Sequence, residues 1–428
     1  RSFLWVMNMV ASTDIKFYVH TNTNAPQLQN AFGCMIDVLD ACLVNGFGTQ
    51  AVLTLTASGT TVTATYGSAH NYLQYQVTKI AGVNQTEFNG EHRILTVPDA
   101  NTITFELAAV PSVTTATGTI VCSLPPLGWE KPFSSSNPNG GGKAAYRSLN
   151  LLLPSRPFLR VVDELDPAYT ATYAKYAKVG IVEDMTDIDT MLGVQAPFDA
   201  ANPNKNWVGT GSGAAAYNGW AKWYYARGAA VNSAGTDTQA ITAGVRSWLI
   251  VGNSDYFYIL PAFIPSNVIS FPYGFGSFKS FLTADNSNTF LAAHYIYMQA
   301  QSTIYSQESN AHIGVSGPTN LNLLLQRSYT QAAQSTTANI RSLVASSNVN
   351  SGASNYIGAY SLTNIAPLVP AFINESVLRG ELPNLYYLFQ LRPYSNLQTF
   401  VKDGQIFIAK NIATSGSEGQ IVLKIGEL

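Results

Sequence analysis

The sequence contains little charge. Only 11% of its 428 residues are Asp, Glu, Lys or Arg, whereas soluble domains usually carry about 25%. The formal net charge is −2 and Lys and Arg do not cluster, so no direct nucleic-acid binding is expected, because phosphate neutralisation needs grouped cations. A polar but uncharged surface favours a protein that packs against neighbouring subunits, since free proteins usually carry more charge for solubility. A charge-poor secreted or β-rich protein is the other interpretation.

Cysteines and long apolar runs are also scarce. The three cysteines, Cys34, Cys42 and Cys122, have no zinc-site spacing and form no disulfide framework, so we expect them to be small buried hydrophobic residues. No apolar run approaches the roughly 18 residues of a membrane-spanning helix. The sequence therefore predicts no membrane span.

Motifs for catalysis and cofactor binding are missing as well. The five histidines are scattered without a pair at ligand spacing. In the NGGGK stretch (139–143), Lys143 is followed by alanine rather than the Ser or Thr of a phosphate-binding loop. The GTGSG stretch (209–213) lacks a preceding strand and the third glycine of the dinucleotide-binding fingerprint G-x-G-x-x-G, so it is interpreted as a loop. The sequence therefore predicts no enzyme, no cofactor and no metal site.

Apolar residues are plentiful, at 46% of the chain. Segment 12–23 alternates polar and apolar residues and is predicted to be a strand. After Ala25-Pro26, apolar residues at spacings of three and four predict an amphipathic helix: they are Phe32, Met35, Ile36, Leu39 and Leu43. Asn45-Gly46 predicts the end of this helix, because glycine tolerates the left-handed conformation needed there.

Segment 51–124 has a different pattern, with five or six short Thr- and Val-rich strands separated by Gly, Asn-Gly or Pro. Two of these runs flank Ser58-Gly59, which is typical of a β-hairpin. The pattern predicts a small all-β barrel or sandwich inserted into a loop of the main domain. The predicted domains are residues 1–50 as the first part of the main domain, 51–124 as the insertion, and 125–428 as the remainder.

The remainder is predicted to be mostly strands. Segment 134–143 is interpreted as a polar loop, FLRVVDE (158–164) as a strand, and the next apolar stretch, ending at Met185, as a longer strand. RSWLIVGNSDYFYILPAF (246–263) predicts a hairpin that turns at Gly252-Asn253. Residues 301–355 are expected to be loops with one helix near 330–345, and short strands return toward the C-terminus. The predicted fold class is mostly β with minor α+β character.

Two groups of residues are candidate sites. Tryptophans and tyrosines crowd residues 207–225, namely Trp207, Tyr217, Trp220, Trp223, Tyr224 and Tyr225. Such rings fill a core edge, form an interface hot spot or bind a sugar. The second group is the acidic stretch EDMTDIDT, which contains Glu183, Asp184, Asp187 and Asp189. It supplies oxygens suited to calcium, but a solvated turn is the preferred interpretation because the spacing of an EF-hand is missing.

Several stretches, taken in order, resemble an uncharacterised family of virion structural proteins from tailed bacteriophages. The stretches are APQLQNAFGCMIDVLDACLVNGFG (25–48), LGWEKPFSSSNPNGGGKAAYRS (127–148), FLRVVDE with EDMTDIDT behind it, RSWLIVGNSDYFYIL followed by FGSFKSF, and RGELPNLYY (379–387). The last of these has Asn384 where the family usually has glycine. The first two are normally adjacent in the family, and the residues between them (from Tyr75 to Leu107) are similar to a small β-module found in phage structural proteins.

The resemblance implies membership of a phage particle, with localisation in the virion, and the expected place is its tail, baseplate or fibre-attachment region. The partners it implies are other virion proteins and further copies of the chain. Capsid decoration, and binding of a host receptor or host-surface glycan by the tail, remain alternatives. Hydrolysis of envelope polysaccharide is a third hypothesis, which rests on the acidic stretch alone. Within RGELPNL, we expect Gly380 and Pro383 to fix a turn and Arg379 to clamp it through carbonyl contacts, with a subunit contact as a second role.

Overall fold

The computed structural model describes residues 10–212, 219–228, 239–262, 264–265, 267–295, 322–334, 340–343, 367–388, 392–414 and 417–428. The chain is mostly β, with 50% of its residues in strands and 5% in helices, which confirms the predicted fold class. Among the described residues, no helix is long and apolar enough to cross a membrane.

The N-terminal part contains one strand and one helix, both close to where the sequence predicts them. Strand β1 spans Lys16–Val19. Helix α1 spans Cys34–Leu39 and continues as a π-helical segment, Asp40–Asn45. The predicted end of the helix is confirmed, because Gly46 adopts φ 69°, a conformation that favours glycine. The helix begins later than the apolar spacing suggests.

Residues 47–124 form a sheet of their own. Its strands are β2 (Phe47–Ser58), β3 (Thr61–Tyr66), β4 (Val77–Val83), β5 (Gly90–Arg93), β6 (Thr96–Asp99), β7 (Thr102–Glu106) and β8 (Gly118–Leu124), with a 3₁₀ turn at Thr86–Phe88. Their spatial order is β5-β4-β8-β2-β3-β7-β6. The predicted hairpin at Ser58-Gly59 is confirmed as β2–β3. Strands β5 and β6 follow each other along the chain yet lie at opposite ends of the order, so the sheet curves around its interior, where His92 stacks on Phe105 at 4.3 Å.

The remaining strands form two further sheets. They are β9 (Trp129–Ser136), β10 (Gly141–Ser148), β11 (Phe158–Glu164), β12 (Lys175–Met185), β13 (Met191–Ala196), β14 (Ala221–Ala226), β15 (Trp248–Gly252), β16 (Tyr256–Pro261), β17 (Tyr273–Ser277), β18 (Lys279–Ser280), β19 (Thr289–Ala292), β20 (His294–Tyr295), β21 (Asn322–Leu325), β22 (Ile340–Leu343), β23 (Leu368–Asn374), β24 (Leu378–Leu388), β25 (Thr399–Lys402), β26 (Gln405–Thr414) and β27 (Ser417–Glu427). The smaller sheet runs β20-β14-β12-β11-β10-β9, with β13 also on β12. The larger runs β1-β15-β16-β17-β19-β21-β22-β23-β24-β27-β26-β25, with β18 on β24.

The large sheet is buried on both faces. In β1, Tyr18 points into one apolar cluster, whereas Phe17 and Val19 point into the other. Successive side chains of strands β15 and β16 also point alternately into the first and the second apolar cluster. This explains why their sequences are continuous apolar runs rather than alternating ones. The second cluster also contains residues of β24, β26 and β27, so the large sheet folds over and packs against itself.

Three local predictions differ from the structure. Residues 134–143 are mainly the hairpin of β9 and β10 rather than a loop. Residues 340–343 of the predicted helix near 330–345 form strand β22, and residues 335–339 and 344–345 lie outside the described residues, as does most of 301–355. RGELPNL is part of strand β24 with an irregularity after Glu381, not a simple turn. Asn384 has φ 55° there, which explains why glycine suits this position.

The curved sheet of residues 47–124 contacts the rest of the chain, which we call the main body, near its N-terminus and near its C-terminus. The guanidinium of Arg93 donates to the carbonyls of Ser12, Ile15 and Tyr75 and lies against Gly426. The apolar interior of the curved sheet is also part of the larger apolar cluster of the main body. These contacts give the sheet a fixed position on the main body. The division of the chain into domains nevertheless stays a prediction.

Candidate functional site

The aromatic side chains that the structure describes within residues 207–225 are core residues. Each of the following is at most 3% exposed: Trp207, Trp220, Trp223, Tyr224 and Tyr225. Trp223, for example, donates its Nε1 hydrogen to the carbonyl of Ala292 at 2.8 Å. Tyr217 lies outside the described residues. For the five described rings, burial agrees with the core interpretation and contradicts an exposed interface or an exposed sugar platform. Trp207 additionally borders a pocket.

Arg379 is also buried, with no exposed surface. Its Nε and Nη2 donate to the two carboxylate oxygens of Asp285, both at 2.9 Å. Its Nη1 donates to Glu375 at 2.9 Å and to the carbonyl of Arg327 at 2.6 Å. The predicted clamp through a carbonyl is therefore present, with two carboxylates added. The prediction that this side chain contacts another subunit is wrong, because none of the surface of Arg379 is exposed.

The acidic stretch is divided among separate partners. Glu183 accepts two hydrogen bonds from Nη2 of Arg327, at 2.6 and 2.9 Å. Asp187 accepts the backbone N–H groups of Asp189 and Thr190 within its own turn. Within the described part of the chain, no three His, Cys, Asp or Glu side chains form a group that could hold a metal ion. The solvated-turn interpretation agrees with Asp187, and Glu183 and Asp189 are engaged in ion pairs.

Asp189 leads to a pocket of about 360 Å³ that joins several stretches noted in the sequence. Lys143 comes from NGGGK, Arg160 from FLRVVDE, Asp189 from the acidic stretch and Trp207 from the aromatic run. Strands β10, β11 and β12 are neighbours in the small sheet, so they bring these side chains to the same region. The wall is completed by Val162, Glu164, Asp166, Pro167, Lys178, Met191, Asn204 and Val208.

Arg160 is the central cation of this pocket. Its Nε donates to the carbonyl of Ile188 at 2.8 Å, and its Nη2 donates to Asp189 at 2.7 Å. The guanidinium carbon lies 4.5 Å from the ring centre of Trp207, a cation–π geometry. Burial lowers the pKa of Arg160, while the Asp189 carboxylate opposes that shift. Nη1 of Arg160 and Nε1 of Trp207 are buried and have no hydrogen-bond partner among the residues that the structure describes.

A second ion pair closes the inner wall. Nζ of Lys178 lies 2.6 Å from Asp166, and both side chains are 2% exposed. Asp166 also accepts the backbone N–H groups of Ala168 and Gly209. Gly209 belongs to the GTGSG stretch, and a Cβ there would lie 1.8 Å from the Asp166 carboxylate. The glycine therefore permits the backbone to approach a carboxylate, which is unrelated to a dinucleotide site.

The loop between β10 and β11 is a different kind of candidate, and the sequence interpretation missed it. Leu149, Leu151 and Leu152 are 52%, 76% and 91% exposed. The run LNLLLP alone contained the signal, because three leucines next to a proline do not fit an alternating strand. We refer to residues 149–153 as the leucine loop.

Hydrogen bonds hold the leucine loop at both ends. Nδ2 of Asn150 donates to Asp255 at 2.8 Å, and its Oδ1 accepts the backbone N–H of Leu152 at 3.0 Å. Beyond the loop, Ser155 donates to the side-chain oxygen of Gln326 at 2.9 Å. The leucines are therefore presented to solvent in a defined conformation.

Comparison with models of known protein families gives no match for this sequence, and comparison with curated proteins gives none either.

Proposed function

We propose that the protein is a structural component of a tailed-bacteriophage virion and that it acts through contacts with other subunits. The tail, baseplate or fibre-attachment region is the proposed location. The order of the motifs in the sequence supports membership of a phage particle. The leucine loop supports a contact with another subunit. The exposed leucines of this pinned loop are the observation that carries the assembly role.

The energetics favour a contact at this loop. Burying one leucine side chain that was fully exposed contributes roughly 1.5–3 kcal/mol. Because the loop is already held by Asn150 and Ser155, little conformational entropy is lost when a partner covers it. Leu151 and Leu152 together therefore supply enough free energy to matter in an interface made of repeated copies.

The low charge of the chain is consistent with the same role. Charged residues make up 11% of the sequence, and many are engaged in internal ion pairs such as Arg379 with Asp285. Interfaces between subunits are depleted in charge at their centres. Buried pairs such as Arg379 with Asp285 remove some of these few charges from the surface that neighbours would meet.

Two experiments test the proposal. Electron microscopy of purified phage particles, with a gold-tagged antibody against residues 51–124, is expected to place gold at the tail or neck. Gold over the head would indicate a capsid decoration protein instead. If the antibody labels neither intact nor denatured particles, the proposed role in the virion is contradicted. In solution, size-exclusion chromatography with light scattering is expected to show association that Leu151→Ser combined with Leu152→Ser reduces.

Val110→Ser is the matched control, because Val110 is 71% exposed but lies in the curved sheet of residues 47–124, away from the leucine loop in sequence. It is expected to leave association unchanged. Equal association of the wild-type chain and the double variant would remove the leucine loop from the interface.

A further inference from the structure

We infer that the pocket beside Arg160 binds a sugar acid, meaning a small ring with several hydroxyl groups and one carboxylate. This inference goes beyond the assembly role and does not depend on it. Two buried donors without acceptors, Nη1 of Arg160 and Nε1 of Trp207, are its starting point. Buried polar groups are nearly always hydrogen-bonded, so each exception needs an explanation.

The donors lie where an anion is already held by the chain itself. Asp189 accepts hydrogen bonds from Nζ of Lys143 at 2.8 Å and from Nη2 of Arg160 at 2.7 Å. Its side chain is 57% exposed, so it sits at the rim rather than inside. A ligand carboxylate that displaces Asp189 gains the same two cations, and charge-assisted bonds of this kind are stronger than neutral ones.

The size of the pocket and the chemistry of its wall indicate what the ligand carries besides its carboxylate. A volume of about 360 Å³ is at the lower end of the range for small-molecule sites and suits a single sugar ring. Glu164 and Asn204 supply acceptors and donors for hydroxyl groups, while Pro167, Met191 and Val208 supply apolar contacts. A wall with this mixture matches a molecule that has polar edges and apolar ring faces.

The charge balance of the wall argues against other ligands. The pocket is lined by Lys143, Arg160 and Lys178, and equally by Glu164, Asp166 and Asp189. A phosphate dianion would be repelled by the three carboxylates, and a divalent cation would be repelled by the two ammonium groups and the guanidinium group. A neutral sugar carries no charge with which to replace the Asp189 carboxylate on Lys143 and Arg160. One negative charge on a hydroxylated ring is the best fit.

Isothermal titration calorimetry on the purified full chain tests this, with glucuronate and galacturonate as probes and glucose as the uncharged match. Saturable binding is expected for at least one uronate and none for glucose. Lys143→Gln is expected to weaken uronate binding about tenfold, which corresponds to the loss of roughly 1.4 kcal/mol. Asp189→Asn is expected to tighten it several-fold, because the chain's own carboxylate no longer competes.

Lys79→Gln is the control, since Lys79 is exposed on β4 and does not line the pocket. It should leave binding unchanged, and thermal melting should confirm that all three variants fold. The inference is overturned if no uronate binds to wild type or to Asp189→Asn, if glucose binds equally well, or if inorganic phosphate binds more tightly. Weaker binding in Asp189→Asn also contradicts it. None of these results depends on whether the protein is found in particles.

Discussion

Asn22 and Gln76 exchange two hydrogen bonds through their side-chain amides, each at 2.9 Å. Asn22 follows β1 in the main body, whereas Gln76 immediately precedes β4 in the curved sheet of residues 47–124. Gln76 also donates to the carbonyl of Phe17 at 3.0 Å and accepts the N–H of Leu73 at 2.9 Å. This buried network orients one sheet on the other, because every polar atom of the Gln76 amide is used.

Gln76→Ala is therefore expected to destabilise the chain by roughly 2–3 kcal/mol, because Asn22, Leu73 and Phe17 all lose hydrogen bonds to the buried Gln76 amide. Urea unfolding followed by tryptophan fluorescence measures the change. The control is Asn84→Ala, which removes an exposed bond to Thr117 and should cost about 0.5 kcal/mol or less. Equal losses in the two variants would contradict a structural role for the amide pair.

Gly426→Ala is expected to destabilise the protein through Arg93. An added Cβ would lie 2.5 Å from the guanidinium of Arg93, which carbonyls of Ser12 and Ile15 hold in place. Overpacking of this kind costs about 1–3 kcal/mol. The same substitution made together with Arg93→Ala should lose most of this extra cost, which a double-mutant cycle detects.

Gly67→Ala is the matched glycine substitution for that cycle. Its added Cβ would meet Leu53 at 3.5 Å, an ordinary contact distance, and should change the free energy of unfolding by about 0.5 kcal/mol or less. A full Gly426→Ala penalty in the Arg93→Ala background would show that the clash has another origin.

Arg379→Ala is expected to cost about 3–5 kcal/mol, because Asp285 is left as a buried carboxylate without its guanidinium. Lys279→Ala provides the contrast nearby. Lys279 pairs with Glu381 on strand β24 at 2.8 Å, but its side chain is 68% exposed, so that loss should be below about 1 kcal/mol. Thermal unfolding distinguishes the two variants, and comparable shifts in Tm would refute the assignment of Arg379 as the structural clamp.

Asp163 is expected to make stability depend on pH. Burial raises its pKa from 3.8 to about 6, although it accepts hydrogen bonds from Tyr225 at 2.7 Å and from the N–H of Met35 at 3.0 Å. The folded state therefore holds a proton that the unfolded state has released between about pH 4 and pH 6. This contribution to stability is complete below about pH 4 and is lost as the pH rises through about 6.

Asp163→Asn removes this titration and tests the sign. As the pH falls from about 7 to about 4, wild type should gain stability over the variant by on the order of 3 kcal/mol. Urea unfolding at several pH values provides the comparison. A difference that stays constant, or that grows as the pH rises, would show that the carboxyl titrates normally in the folded chain.

The local pattern was most informative where it depended on backbone chemistry. Gly46 ends the helical segment with positive φ, and the Gly252-Asn253 turn joins β15 to β16. Both follow from short-range conformational preferences. The aromatic run was harder to interpret, because a tryptophan in a core and one at an interface have the same local sequence. Only the packing of Trp207 and Trp223 against other strands distinguishes them.

The charged pocket depended on long-range pairing. Lys143 and Asp189 are far apart in the chain, yet strands β10, β11 and β12 bring their side chains within hydrogen-bond distance. The leucine loop had a sequence signal in LNLLLP, but its exposure could not be known without the fold. An apolar run is normally buried, and a run that stays exposed is recognised only after the rest of the core is assembled.

The β-rich fold class, the helix end at Gly46, strands such as FLRVVDE and the low content of charged residues could all be read from the sequence. These features follow from turn chemistry and residue periodicity, which act over a few neighbours. Three features became visible only in the folded chain: the five described rings of the aromatic run are core, Arg379 is buried between carboxylates, and Arg160 and Trp207 meet at one pocket. The reason is physical: burial and ion pairing are properties of distant segments brought together, and no local pattern records which segments those will be.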